Sequence, residues 1–279
     1  MALSIRAMQK GDSPAILDLV NADRLEGQPG CTQEMLDCTL AGRSPIDASS
    51  WEKLTNLRTD VAVDEWETIC GVVSFALHRE DREGYLLWLH AREDRGIIEV
   101  LIQHVVTALG HVPRLHVFAL ATPLTFGVEA LPVRKRPVSH QTLLNQGFTG
   151  EDSWLYMLGP TISEAEAIAE IAPTNHPNEW ELSVRSEQHV VGKAVVGLIS
   201  EKTGVFWWLF IEEAQRGQGI GKRLFQQARK WLYDQGVQTI LLYVDHTTPE
   251  RAAAIHLYAS TGFALVDCFW SYWKDAPLL

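Results

Sequence analysis

The spacing of apolar residues along the chain predicts alternating strands and amphipathic helices. Near the N-terminus, Leu3, Ile5 and Ala7 alternate with polar positions, which predicts a half-buried strand. The rest of the first half predicts helices near residues 14–24, 32–40, 97–109 and 138–146, and strands near 61–63, 69–78, 85–90, 115–120 and through Trp154 and Tyr156. This order of elements indicates an α/β domain.

The second half opens with strands rather than helices. Apolar runs predict strands at 180–185, 190–200, 205–211 and 237–244, with a further helix after residue 251. Between the halves, Pro160, an alanine- and glutamate-rich stretch that predicts a helix, and a turn-rich cluster are typical of a linker. We therefore predict a first domain at 1–160, a linker at 161–178 and a second domain at 179–279.

A glycine-rich loop joins a predicted strand to a predicted helix in the second half. The strand ends at Ile211, and Gly217, Gly219 and Gly221 precede a helix whose apolar face carries Ile220, Leu224, Ala228, Trp231 and Leu232. Such a loop presents bare backbone N–H groups and a helix N-terminus to an anion, and Lys222 adds a cation. The spacing fits neither the nucleotide P-loop nor the dinucleotide fingerprint. The loop therefore predicts a phosphate site of another kind.

Two sequence blocks resemble one enzyme superfamily. The loop reads R-x-x-G-x-G from Arg216 to Gly221, which resembles the pyrophosphate loop of the GNAT acetyltransferases. About forty residues later, A-A-A-I-H-L-Y-A-S-T-G-F (252–263) resembles the family's next helix, although Arg251 stands where the family often has asparagine. The resemblance implies two tandem GNAT-like mixed β-sheet domains flanked by helices, the second shortened at its start.

The first half resembles the same family without its chemistry. Aligned on the loop, residues 92–97 read R-E-D-R-G-I, so that Arg95 and Ile97 replace the two glycines, and Leu143 stands at the tyrosine position. Glu93 and Asp94 place negative charge where phosphates would bind, which Coulomb repulsion disfavours. We expect the first domain to be degenerate and to have lost cofactor binding.

The resemblance also implies roles for particular residues. Acetyl-CoA would lie where the strand ending at Ile211 diverges from the strand at 237–244, with Ile211 N–H donating to the acetyl oxygen. Tyr258 would protonate the thiolate leaving group. The implied cofactor-binding residues are Leu209, Phe210 and Ile211 for pantetheine, and Arg216, Gly217, Gln218, Gly219, Ile220, Gly221 and Lys222 for pyrophosphate. The general base stays open among Glu212, Asp245, His246 and water.

Composition narrows the class of partner and the compartment. The chain has 279 residues and a formal net charge of −11, which argues against a nucleic-acid-tracking surface and suits cationic amines. The four cysteines form no C-x-x-C pair and no metal-ligand spacing, which predicts free thiols and no metal. No apolar run approaches eighteen residues and no leader pattern is present, so we expect a cytoplasmic protein that binds no membrane.

The resemblance implies an acyl-CoA-dependent N-acyltransferase that transfers acetyl from acetyl-CoA to the amine of a small molecule or peptide. Two alternatives remain: a CoA-binding regulatory or scaffold protein without turnover, and transfer to a thiol or an aminated sugar. The second half lacks the opening helices that wall the family's acceptor site, so the linker or the first half must supply that wall. An aromatic set is a candidate lining for a flat acceptor: Phe206, Trp207, Trp208, Trp270, Tyr272 and Trp273. The sequence leaves the acceptor, the acyl chain length and the oligomeric state open.

Overall fold

The computed structural model of the protein describes residues 3–126, 128–187, 189–245 and 251–276. The chain divides into two units, and the division differs from the one that the sequence indicates. Unit 1 consists of Met1–Ser153 and Asp267–Leu279, and unit 2 is Trp154–Val266. The C-terminal segment thus belongs with the first half of the chain.

Unit 1 has a six-stranded mixed sheet with helices on both faces. The elements are β1 (Ser4–Ala7), α1 (Ser13–Ala22), α2 (Gln33–Leu40), α3 (Ala48–Trp51), β2 (Leu54–Val63), β3 (Ile69–His78), β4 (Gly84–His90), α4 (Arg95–Ala108), β5 (Arg114–Val117), β6 (Leu131–Pro132), α5 (Pro137–Asn145) and the first residues of β7 (Thr149–Pro160). The last strand of the unit is the C-terminal part of β13 (Ala264–Asp275). The strand order is β1-β2-β3-β4-β5-β13, in which β4 and β5 are parallel from Gly84↔Leu115 to Leu86↔Val117.

Two apolar cores hold unit 1 together, as the helical spacing predicts. On α4, Ile98, Leu101, Ile102 and Val105 are buried in one core. On α1, Ile16, Leu19 and Val20 are buried in the other. Both helices therefore cover the sheet with the face that the apolar spacing selects.

Unit 2 has a sheet of the same kind, with the order β7-β12-β11-β10-β9-β8. Its elements are the end of β7, β8 (Glu170–Pro173), β9 (Glu179–Ser186), β10 (His189–Leu198), β11 (Thr203–Ile211), α6 (Ile220–Asp234), β12 (Thr239–Asp245), α7 (Arg251–Ser260) and the start of β13. In α6, three residues of the predicted apolar face are fully buried, Leu224, Ala228 and Leu232, whereas Ile220 and Trp231 are half-buried. Phe225, which was not part of the predicted face, is fully buried as well. Among the described residues of unit 2 no α-helix precedes α6, so the domain is shortened at its start.

Strand β7 does not complete the sheet of the half in which it begins. The sequence places Trp154 and Tyr156 in the last strand of the first half, but residues 154–160 pair antiparallel with all of β12 in unit 2. In unit 1 the strand next to β5 is β13, with Tyr272 opposite Val117. The apolar pattern predicts that a strand exists there, but it contains no information about which strand is its partner.

The helix expected in the linker is absent. Residues 161–169 are irregular and lead into β8. The buried side chain of Gln227 on α6 accepts hydrogen bonds from the N–H groups of Ile168 and Ala169 at 2.7 and 2.8 Å and donates one to the Ala169 carbonyl at 2.9 Å. These tertiary hydrogen bonds use backbone groups that a helix would need, so they override the local helix propensity.

Candidate active site

The site in unit 2 begins with a gap between two parallel strands. The ladder between β11 and β12 runs from Thr203↔Thr239 to Phe206↔Leu242 and stops there, while β11 continues to Ile211. Against β10, Val195 lies opposite Trp208 and Val196 opposite Phe206, so Trp207 is an extra residue and forms a β-bulge. A bulge bends its strand and increases the local twist. The last residues of β11 are therefore released from β12.

Three residues of β11 were expected to pair with pantetheine, and two of them direct their backbone groups toward this gap. The Glu212 N–H donates to the Val191 carbonyl at 3.0 Å. Because antiparallel pairs alternate between hydrogen-bonded and non-hydrogen-bonded positions, Ile211 and Leu209 point their N–H and C=O groups away from β10 and toward the gap. Phe210 directs its backbone to β10 instead.

The glycine loop then presents a row of backbone donors. Gly217 and Gly219 both have φ of +77°, and Gly219 is the N-cap of α6. Nothing lies within 4 Å of a Cβ built at either position, so it is the left-handed backbone, not space, that selects glycine. The Arg223 N–H donates to the Gly219 carbonyl at 3.1 Å, whereas the N–H groups of 217–222 have no partner in the described part of the chain. These donors at a helix N-terminus form an anion cradle.

Two cations flank the cradle. The Arg216 Nε donates to the Ile211 carbonyl at 3.2 Å, which ties the loop to the end of β11. Lys222 lies exposed on the first turn of α6, and the Gln218 side chain donates to the Ala214 carbonyl at 3.4 Å. Positive charge beside free N–H groups favours a phosphate-bearing ligand.

One cavity of about 590 Å³ joins these features. It is lined by Leu209, Phe210, Ile211, Gln215, Arg216, Gly217, Gly219, Ile220, Gly221, Lys222, Ala253, Ala254, His256, Leu257 and Tyr258. Every cofactor residue expected from the sequence except Gln218 lines it. Gln215 and the α7 residues at 253, 254, 256 and 257 line the cavity without having been predicted from the sequence. Four of the α7 residues, at 253, 254, 257 and 258, have the i, i+3 and i+4 spacing of one helix face, which could have predicted them.

Tyr258 reaches the same cavity from an aromatic core. It is 6% exposed, and its ring lies 4.9 Å from that of Phe225 and 6.2 Å from those of Phe206 and Phe263. Its hydroxyl has no hydrogen-bond partner among the described residues, and burial raises the pKa of the phenol above its usual range. The hydroxyl is therefore protonated at neutral pH and is positioned to donate into the cavity.

Two candidates for the general base, Glu212 and Asp245, are not among the described residues that line the cavity. Glu212 follows the last residue of β11, and Asp245 is the last residue of β12, where it lies opposite Trp154. His246 is outside the described residues. The structure thus places Glu212 and Asp245 at the ends of the two strands that border the gap.

Comparison with known proteins assigns this half of the chain to a family. Residues 152–263 match the Acetyltransferase (GNAT) family. This part of the chain is similar to a GNAT acetyltransferase domain. Proteins of this family transfer acyl groups from acyl-CoA, which fits a cavity that combines an anion cradle with a protonated tyrosine. A comparison with curated protein sequences gives no match.

Solved structures show that the GNAT likeness extends over the whole chain. A tandem GNAT protein from the clavulanic acid biosynthesis pathway has a TM-score of 0.67 at 12% identity and covers 100% of both chains. A GCN5-related N-acetyltransferase from Sphaerobacter thermophilus has a TM-score of 0.61 at 14% identity, covering 99% of this chain and 96% of its own. A GNAT-family acetyltransferase from Colwellia psychrerythraea has 0.59 at 10% identity, with 98% and 100% covered. At these identities the likeness concerns the fold, which is a tandem GNAT arrangement.

In unit 1, carboxylate side chains of the protein itself occupy the helix N-termini at which an anion could bind. Asp94 is the N-cap of α4, where its side chain accepts the Ile97 N–H at 3.1 Å. Glu93 accepts the N–H groups of Val138 and Ser139 at the start of α5, at 2.7 and 2.9 Å. Because these helix N-termini already hold internal anions, they offer no cradle to a phosphate. Leu143, which the sequence comparison places at the tyrosine position, is buried.

A buried charge cluster lies beyond the parallel pairing of β4 and β5 in unit 1. The Asp23 carboxylate contacts His90 Nδ1 at 2.6 Å and Arg136 Nε at 3.3 Å. Burial alone would raise the pKa of Asp23, but the Arg136 charge and the His90 hydrogen bond outweigh it and lower that pKa. Burial lowers the pKa of His90 below its ordinary 6.5, against the opposing effect of Asp23, and the charges of Arg136 and Arg24 act in the same direction as burial.

We expect His90 to make unit 1 less stable as the pH falls below about 6.5. The unfolded chain then protonates this histidine while the folded chain does not, so the stability present above that pH is lost on acidification. Each unit of pKa depression corresponds to about 1.4 kcal/mol. Melting temperatures of the wild type and His90→Gln between pH 7.5 and 5.5 should converge as the pH falls. Parallel profiles would contradict a depressed His90 pKa.

Two other kinds of feature are absent from the described part of the chain. No group of three or more His, Cys, Asp or Glu side chains within the described ranges is arranged to hold a metal ion. In the same ranges, no helix is both long and apolar enough to span a membrane.

Proposed function

We propose that this protein is an acyl-CoA-dependent N-acyltransferase that moves acetyl from acetyl-CoA to the amine of a small molecule or peptide. The observation that carries the proposal is the cavity of about 590 Å³ in unit 2. There the N–H groups at the start of α6, the gap-facing backbone of β11 and the Tyr258 hydroxyl meet. Pyrophosphate, pantetheine and thioester each require one of these three features.

Each group has a distinct role in this proposal. The N–H groups of 217–222 bind the pyrophosphate, with Arg216 and Lys222 adding positive charge. The gap-facing backbone of Leu209 and Ile211 aligns the pantetheine arm, and Ile211 N–H donates to the acyl oxygen. Acyl-CoA supplies an activated thioester, and Tyr258 holds the proton that the departing sulfur needs.

The proposal also fixes the number of working sites. Since Glu93 and Asp94 occupy the corresponding helix N-termini of unit 1, one CoA should bind per chain. Titration calorimetry with CoA measures this stoichiometry. Release of free thiol from acetyl-CoA in the presence of a panel of amines measures turnover. CoA binding without thiol release from any amine would instead support the alternative, a CoA-binding protein without activity.

Tyr258→Phe should lower kcat by about 100-fold, the lower end of the range for general acid–base catalysis. The affinity for CoA should be nearly unchanged, because the hydroxyl acts only when negative charge develops on sulfur. Steady-state kinetics and calorimetry on the same variant separate the two effects.

Tyr233→Phe is the matched control, because Tyr233 is 48% exposed on α6 and does not line the cavity. It should leave both kcat and CoA affinity unchanged. An unchanged kcat in Tyr258→Phe, with chemistry rate-limiting, would show that water supplies the proton.

A further inference from the structure

The sheet of unit 2 carries two exposed aromatic rings beside the gap. Trp208 is 48% exposed and Phe210 is 39% exposed. Their ring centroids are 5.8 Å apart and their planes differ by 7°, so the two rings are stacked and nearly parallel. We call this pair the aromatic platform. Large exposed apolar groups placed next to each other often mark a binding surface.

The aromatic platform lies on the sheet face opposite the anion cradle. A Cβ built on Gly221, in the first turn of α6, would lie 3.4 Å from Ile211 and 3.9 Å from Leu209. Leu209 and Ile211 therefore point toward α6. Successive side chains of a strand point to opposite faces, so Trp208 and Phe210 point away from it. The β-bulge at Trp207 decides which side chains of β11 point to which face. The extra residue shifts the alternation of side chains between the two faces by one position, at the point where the ladder with β12 ends.

A carboxylate lies on the same face across the gap. Phe206 packs against Phe225 of α6 with ring centroids 4.8 Å apart, and Leu242 is its parallel partner on β12. Leu242 thus faces α6, and Asp245, three residues later on the same strand, faces the opposite side. The gap is therefore bordered on this face by stacked rings on β11 and by the position of Asp245 on β12.

This arrangement has the chemistry to recognise an aromatic amine. A flat ring stacks on an aromatic wall, and a protonated amine is attracted both by ring faces and by a carboxylate. The net charge of −11 also favours a cation over a second copy of this acidic chain. An amine held here approaches the gap from the side that the cofactor does not occupy, so acceptor and cofactor do not compete for space.

We propose that the aromatic platform of Trp208 and Phe210, with Asp245, binds the acceptor, and that the acceptor is an arylalkylamine. The ring of the acceptor lies on the platform, and its amino group is directed toward the gap. This inference rests on the proposed N-acyltransferase function and assigns its acceptor class. In the transfer, the protonated amine first loses a proton to solvent or a base. The neutral nitrogen then forms the new bond to the acyl carbon, and the carbon–sulfur bond breaks as Tyr258 protonates the sulfur. The second proton of the nitrogen leaves through solvent and restores the Tyr258 hydroxyl.

The full-length protein tests the proposal with four acceptors: phenethylamine, its saturated analogue cyclohexylethylamine, n-hexylamine and spermidine. We expect phenethylamine to exceed cyclohexylethylamine by about tenfold in kcat/KM, because only the aromatic ring gains the stacking contact. Trp208→Ala should raise the KM for phenethylamine about tenfold and remove this preference. Trp208→Phe, which keeps a ring, should largely restore it.

Matched control variants distinguish a loss of acceptor binding at the aromatic platform from a general effect of removing a tryptophan or a charge. Trp66→Ala removes a tryptophan that is 70% exposed in unit 1, and it should change neither the KM nor the preference. Asp245→Asn should weaken binding of the charged amines while leaving the preference for aromatic over saturated rings intact. CoA affinity, measured by calorimetry, should be the same in the wild type, Trp208→Ala and Trp66→Ala.

Ligand-observed NMR of phenethylamine with the CoA-bound protein distinguishes failure of this inference from failure of the proposed function. If phenethylamine binds the wild type but not Trp208→Ala, and neither protein acetylates it, the acceptor site is supported and the acyltransferase function is overturned. Turnover with the same preference in the wild type and Trp208→Ala would overturn the platform and retain the function. A dimer that Trp208→Ala dissociates without altering the KM would show that these rings form an interface between copies instead.

Discussion

Gly219→Glu is expected to abolish CoA binding while leaving a folded protein. At φ of +77°, a side chain at this N-cap strains the left-handed backbone that aligns the donor N–H groups. The added carboxylate would also lie beside the pyrophosphate. Repulsion between two charges at 4 Å near a protein surface is about 4 kcal/mol, which corresponds to about a 1000-fold loss of affinity. Titration calorimetry with CoA measures the loss.

Gly236→Glu provides the matched control. Gly236 has φ of +89° and follows the other end of α6, with nothing closer to a built Cβ than the Glu201 carbonyl oxygen at 3.8 Å. It therefore receives the same strain and the same charge far from the cradle. This variant should melt at a lower temperature but bind CoA as the wild type does. Gly219→Asn separates strain from charge, since asparagine tolerates this conformation, and it should lose less than tenfold in affinity.

If Gly219→Glu bound CoA with near-wild-type affinity, the glycine loop would not be the pyrophosphate site. If Gly219→Glu and Gly236→Glu lost the same CoA affinity, that loss would reflect general destabilisation of the protein and not an effect at the glycine loop. The prediction therefore depends on the difference between the two ends of one helix, and thermal melting of both variants establishes that the fold persists.

The second large effect concerns a fragment from Asn178 to Leu279. It contains every proposed cofactor residue and Tyr258, but it should be insoluble or unable to bind CoA. The fragment lacks the part of β7 that pairs with all 7 residues of β12, from Trp154↔Asp245 to Pro160↔Thr239. A strand that lies inside the sheet of unit 2 would become an unpaired edge and a template for aggregation.

Buried polar groups of α6 would also lose their partners in that fragment. Arg229, 4% exposed, donates to the Pro160 carbonyl at 3.0 Å. Gln227, 6% exposed, makes its hydrogen bonds to the backbone of Ile168 and Ala169. Each unsatisfied buried group costs about 1–3 kcal/mol. In addition, Phe263 would lose its contact with Gly159, against which its ring packs so closely that a Cβ there would overlap the ring.

A longer fragment, Trp154–Leu279, is the control for this prediction. This fragment includes the part of β7 that pairs with β12 and the hydrogen-bond partners of Gln227 and Arg229. It should therefore give a higher yield of soluble protein that binds CoA than the shorter fragment gives. Size-exclusion chromatography and CoA titration of both fragments compare them directly. If the Asn178–Leu279 fragment were soluble, monomeric and fully able to bind CoA, the pairing of β7 with β12 would not be needed for the fold of unit 2.

The sequence alone was sufficient for the cradle of the site. Gly217, Gly219 and the apolar face of α6 are local features, because the conformation of a loop and the exposed face of a helix depend on residues a few positions apart. The same locality explains why the degeneracy of unit 1 could be predicted from Glu93 and Asp94, which the structure finds capping α5 and α4. Tyr258 and the glycine loop were recognised from a family pattern, and the structure brings them to one cavity.

Only the tertiary structure decided which strands pair and which faces meet. The apolar alternation of β7 predicts a strand, yet it is the hydrogen-bond ladder with β12 that assigns its second half to unit 2, while β13 takes the position beside β5. The linker sequence favours a helix, but the Gln227 side chain accepts hydrogen bonds from the backbone N–H groups of residues 168 and 169. The orientation of Trp208 and Phe210 depends on one inserted residue, Trp207, whose position opposite β10 no local pattern reveals. Partner choice and register are set by contacts between residues far apart in the chain, so they are decided when the sheet assembles.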